Sequence, residues 1–138
     1  MAIGAAPGLN KNKSKGNNHL NTSAALMRQA IYEMELFVEF LNGKKETVNG
    51  LAGLGDLYVS SAGGRNSMMG AFIGEGMTFS EAKKNKMPNV TVEGAELIFE
   101  IGTKVKKDFD EKKLPLMIAM INAILEDKKL EIKWENFN

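Results

Sequence analysis

Nine of the fourteen glycines in this 138-residue chain fall between Gly43 and Gly76, at irregular spacings. Glycine is permissive of turns and costly in the interior of a regular element, so this stretch cannot be one long helix or one uninterrupted strand. Short helices joined by tight turns fit it best, and no repeat period does. The order must come from the flanking segments, which are strongly patterned. From Thr22 onward, Met27, Ala30, Ile31, Met34, Val38 and Leu41 recur at helical spacing, with Arg28, Tyr32, Glu35 and Glu39 on the opposite stripe. That spacing predicts a helix of roughly 18 to 20 residues, capped by Asn21 or Thr22 and ended by a left-handed Gly43.

Further along, Thr78-Phe79-Ser80-Glu81 has the form of a capping box at a new helix start, and Pro88 marks a break after it. A second long helix is expected from about Gly94 to Lys107, with Leu97, Ile98, Ile101 and Val105 on one face. A third is expected from Pro115 to about Leu125, apolar nearly all round and hence the most buried element. Glu126 to Asn138 alternates Leu130, Ile132 and Trp134 with charges, which leaves a short strand and a frayed helix both open. The first 23 residues read as an irregular start, with Lys11, Lys13 and Lys15 as solvated loop lysines.

Composition narrows the chemistry. One core is expected at this length, and the nine methionines read as its adaptable filler. Eighteen basic against seventeen acidic side chains leave a formal charge of +1, which argues against nucleic acid or an anionic membrane as partner. The absence of cysteine excludes a disulfide framework, a thiolate zinc site and a cysteine nucleophile, and His19, the single histidine, excludes a site built on two imidazoles. No apolar run approaches the ~20 residues a membrane helix needs and no signal-peptide core precedes a cleavage site, so a cytoplasmic location is expected, with no metal site.

The densest chemical signal is Gly50-Leu51-Ala52-Gly53-Leu54-Gly55-Asp56-Leu57, followed by Ser60-Ser61-Ala62-Gly63-Gly64-Arg65-Asn66. Paired glycines let backbone approach a ligand, and a guanidinium beside an amide suits a phosphate. Met68, Met69, Phe72 and Ile73 predict a helix starting just after Asn66, whose free amides would add to an anion site. Each residue also has a plainer reading: Asp56 as a cap, Arg65 as a surface ion-pair partner, Gly63-Gly64 as a turn, Glu93 as a first-turn acid. On the residues alone both readings stand.

Gly50 to Leu57, then Gly63-Gly64-Arg65-Asn66, then Val92-Glu93-Gly94 resemble, in order and spacing, the C-terminal domain of NAD(P)-dependent glycerol-3-phosphate dehydrogenase. Ala24-Ala25-Leu26, Glu33-Met34 and Glu46-Thr47 are similar as well, and the resemblance weakens after Leu125. It implies an all-α, multi-helical domain spanning residues 1–138, like the C-terminal domains of glycerol-3-phosphate and 6-phosphogluconate dehydrogenases, without the Rossmann domain. No strand followed by G-x-G-x-x-G is present, so the dinucleotide cradle is expected to be absent from this chain.

The resemblance further implies an oxidoreductase that interconverts glycerol 3-phosphate and dihydroxyacetone phosphate with NAD or NADP, supplying phospholipid precursors. Its roles carry over residue by residue. Asn66 and Arg65 would hold the substrate phosphate, with Arg65 also near the dinucleotide, and Gly64 would add a backbone contact. Asp56 would stand in a supporting role near the reacting carbon, Ser60 would replace a threonine, and Glu93 would face the cofactor. The family's lysine base has no counterpart here, so the chain alone is expected to be inactive and to need an N-terminal Rossmann domain as partner; a homodimer is also among the expected partners. The family's Asp-Asn-Thr-Lys-Ala-Ala becomes Leu20-Asn21-Thr22-Ser23-Ala24-Ala25, losing an acid and a lysine. A different class of function stays beside this one: a stand-alone helical binding or oligomerisation module without catalysis.

Overall fold

The computed structural model describes residues 1–10 and 19–138, and Lys11, Lys13 and Lys15 lie outside the described residues. Among the described residues there are seven α-helices and no strand. They are α1 (Ala6–Leu9), α2 (His19–Phe40), α3 (Asp56–Ser61), α4 (Arg65–Gly74), α5 (Phe79–Asn85), α6 (Glu93–Asp108) and α7 (Pro115–Leu125).

α7 is the hub. Its apolar run buries Pro115, Leu116, Ile118 to Ile121, Ala123 and Ile124, and the run contributes to three apolar clusters. Met120, Ala123 and Ile124 pack with Met69 and Ile73 of α4, Ala82 of α5 and Ala95 of α6. Ile118 and Ile121 pack with Val105 and Phe109, against Leu36 and Phe37 of α2. Leu116 meets Leu26 of α2 and Ala6 of α1. A helix apolar on all sides is stable only when surrounded in this way.

α2 begins no later than His19, so Asn21 and Thr22 lie inside it and neither caps it. Its end is a Schellman turn: Gly43 N–H donates to the Val38 carbonyl at 2.8 Å and Asn42 N–H to that of Glu39 at 2.9 Å. The left-handed residue is therefore Asn42, at φ 60°, and Gly43 is the residue after it. The deeply buried positions include two that polarity would have assigned to solvent, Gln29 and Glu33. They are tolerated because they bond to each other, Gln29 Nε2 donating to Glu33 Oε1 at 2.9 Å, and to the backbone around them.

In α6 the buried stripe is Ala95, Gly102 and Val105. Leu97 and Ile101, expected on the inner face, are exposed; small residues at 95 and 102 draw the helix against α7, which rotates the larger side chains outward. The capping box of α5 forms as expected, and Asp127 reinforces it by accepting from Ser80 N at 2.8 Å and Ser80 Oγ at 2.5 Å. Beyond α7 the chain runs without regular structure to a single 3₁₀ turn at Trp134–Asn136, so neither a strand nor a frayed helix describes it.

The chain start is ordered rather than irregular. A 3₁₀ turn (Ile3–Ala5) leads into α1, both lie against α4, and Ala5 and Ala6 are fully buried. The approach is backbone to backbone: a Cβ on Gly4 would stand 2.3 Å from the Ser67 carbonyl oxygen, and one on Gly74 2.3 Å from that of Ala5. Side chains this small carry no hydrophobic period, which is why the segment reads as a loop in the sequence.

Candidate functional site

The glycine-rich stretch resolves into a π-helical turn at Leu51–Gly55, which runs directly into α3, and a sharp corner into α4. The corner is Gly64, at φ 92° and ψ 173°, a conformation L side chains avoid. It sets the start of α4 at Arg65, two residues earlier than the apolar pattern indicates, so Arg65 and Asn66 form the helix's own first turn.

Asp56 and Ser60, one turn apart on α3, line a pocket of about 310 Å³ together with Asn66 of α4. Its other walls come from Met1 to Gly4, Met34, Gly53, Ser61 and Ser67. A larger hollow of about 570 Å³ adjoins it, sharing Ile3, Gly4, Ser61 and Ser67, and is bordered by Gly64, His19, Tyr58 and Met68. Ser67 Oγ donates to the Ser61 carbonyl at 3.2 Å, which ties α3 to α4 where the hollows meet. Arg65 and Glu93 border neither hollow; the Arg65 guanidinium is ion-paired with the Glu93 carboxylate, and both side chains are half exposed.

Asn66 ties this corner to α6. Its Oδ1 accepts from the Gly94 N–H at 3.0 Å, so its Nδ2 edge is the donating one. A Cβ on Gly94 would stand 2.9 Å from that oxygen and from the Met1 methyl carbon, so a larger residue there would push on both side chains. The structure thus brings Asp56, Ser60 and Asn66 together, sets Gly64 at their edge, and places Arg65 and Glu93 against each other beside them. Sequence reasoning placed Ser61 in the dense motif without a role and missed the contribution of residues 1 to 4 and Ser67. Only the position of Ser67, directly after Asn66, could have indicated it.

Chemically, the pocket offers a carboxylate, a hydroxyl and an amide donor edge beside a guanidinium at a helix start. Those groups have the chemistry to donate to an anionic group and to bond a hydroxyl. Among the described residues no cluster of His, Cys, Asp and Glu could hold a metal ion, and no helix is long and apolar enough to cross a membrane.

Residues 1–134 match the family described as NAD-dependent glycerol-3-phosphate dehydrogenase C-terminus, and the chain belongs to that family. It is similar to the NADP(+)-dependent glycerol-3-phosphate dehydrogenase of Archaeoglobus fulgidus, 36% identical over 116 residues that cover 80% of this chain and 33% of the relative. The glycerol-3-phosphate dehydrogenase [NAD(P)+] of Fusobacterium nucleatum is 35% identical over 131 residues, 94% of this chain and 36% of the relative. That of Chlamydia pneumoniae is 40% identical over 97 residues, 69% of this chain and 26% of the relative. The chain spans about a quarter to a third of the length of these relatives.

Proposed function

We propose that this chain is the substrate-binding domain of a glycerol-3-phosphate dehydrogenase, recognising glycerol 3-phosphate or dihydroxyacetone phosphate in the pocket between α3 and α4. The observation that carries the reading is the shared pocket of Asp56, Ser60 and Asn66, with Arg65 adjoining on the same first turn. In this reading the phosphate lies on Arg65, the Nδ2 edge of Asn66 and the amide at Gly64, while Asp56 and Ser60 hold the hydroxyl end. Asp56 would orient that hydroxyl rather than take the role of the family's lysine base.

The described residues fit NAD or NADP only at its edge, through Arg65 and Glu93, since without a strand they offer no strand–turn–helix cradle. The cradle and the lysine would come from a Rossmann domain docked at this face, in a cytoplasmic enzyme of phospholipid-precursor synthesis, and the 138-residue chain by itself would bind substrate without turning it over. Nuclear magnetic resonance titration of the 138-residue chain tests the substrate assignment. Glycerol 3-phosphate should shift the amide signals of Ser60, Arg65 and Asn66 whereas glycerol at equal concentration should not, and equal responses to the two would overturn it.

A further inference from the structure

We infer that Glu93 is an internal stand-in for the ligand's phosphate: its carboxylate pairs with the Arg65 guanidinium, and binding exchanges one anion for the other. This rests on the phosphate reading of Arg65 given above.

Arg65 is the first residue of α4, where the helix dipole disfavours a cation, so an anion beside it is favourable. Glu93 is the first residue of α6, where the same effect favours its charge. The contact is also built in from the backbone. The Gly94 N–H to Asn66 Oδ1 bond at 3.0 Å pins the residue after Glu93 to the residue after Arg65, holding the two helix starts in register.

The exposure of the pair makes the exchange feasible. With the Arg65 and Glu93 side chains 54% and 50% exposed, the ion pair is screened and weak, and a ligand with two negative charges can displace it. Once released, Glu93 leaves no buried unpaired charge behind, because it stays in solvent at the favourable end of α6. Glu93 thereby holds Arg65 in place, and anions that bind a guanidinium no better than a carboxylate does are turned away. Glu93 is a specificity-determining residue for dianionic phosphate, acting through Arg65.

The test is titration of the 138-residue chain with inorganic phosphate, read from the amide signals of the first turn of α4. Glu93→Gln removes the competing carboxylate and should bind phosphate about two- to fivefold more tightly than the parent chain. Glu96→Gln removes the same charge from the same first turn of α6 and should change affinity much less, which separates competition for Arg65 from a general field effect. Circular dichroism of both variants controls for folding. The inference is overturned if Glu93→Gln binds no more tightly than the parent, or gains no more than Glu96→Gln. If affinity falls in Arg65→Ala yet is unmoved in Glu93→Gln, the stand-in role fails and the phosphate site survives. If neither the parent nor Glu93→Gln binds phosphate, both fail.

Discussion

Glu33, on α2, accepts a hydrogen bond at 2.7 Å from the backbone N–H of Leu116, 83 residues further along the chain. Its second oxygen accepts from Met117 N, also at 2.7 Å. These are amides of the first turn of α7, whose own preceding residue, Leu114, has no side chain that could cap it. A buried carboxylate from another helix therefore caps the hub of the fold. Burial pushes the Glu33 carboxyl up from its usual range, while the bonds from Gln29, Leu116 and Met117 pull it back. Glu33→Ala leaves two first-turn amides without this partner and should cost about 2 to 4 kcal/mol of unfolding free energy, measured by urea denaturation.

Asn66→Asp separates the two jobs of Asn66. The carboxylate can still accept from Gly94 N–H, and a negative charge suits the first turn of α4, so the melting temperature should hold. The donating Nδ2 edge is gone, and affinity for glycerol 3-phosphate should fall about tenfold or more by calorimetric titration.

Gly74→Ala places a methyl group against the backbone of Ala5, which cannot yield as a flexible side chain would. A loss of about 1 to 3 kcal/mol is expected in thermal unfolding. Because residues 1 to 4 wall the pocket, glycerol 3-phosphate affinity should fall as well, although Gly74 lines neither hollow.

Gly64→Ala forces an L residue to adopt a φ of 92°. The strain should cost about 1 to 3 kcal/mol in urea denaturation, and relief by reshaping the corner would displace Arg65. Phosphate affinity should therefore drop together with stability.

Two acids after α7 set an acid limit. Glu126 is lowered to about 2 by hydrogen bonds from Lys106 and Lys128, and Asp127 is lowered by bonds from the Ser80 hydroxyl and amide. Both are depressed in the folded state, so the stability they contribute is present above their ordinary values of 4.5 and 3.8 and is lost as pH falls through the lowered ones. Carboxyl resonances should titrate with a Glu126 midpoint near 2 and an Asp127 midpoint below 3.8. The stability gap between the parent and Asp127→Ala should close over the same acid range.

Elements that announce themselves locally were legible. Pro115 to Leu125 needs only its unbroken apolar run, and Thr78 to Glu81 only four residues of capping chemistry. What could not be read depends on partners distant in the chain. Glu33 looks like any solvent-facing glutamate until α7 arrives to donate to it, and Leu97 belongs inside by periodicity until Ala95 and Gly102 turn α6 against its neighbour. In the site, the Arg-Asn pair stood out by composition. Its pairing with Glu93 and Gly94, 28 residues on, is a tertiary fact that no spacing encodes.

Ile3 and Gly4 border both hollows. A protease that trimmed the first eight residues would leave every residue of the Gly50 to Asn66 motif in place, yet it would strip away part of the partition between the two compartments. What remains would be the tie between Ser67 and Ser61, with a wider opening around it. The shape of both hollows would change before the recognisable motif lost a single residue.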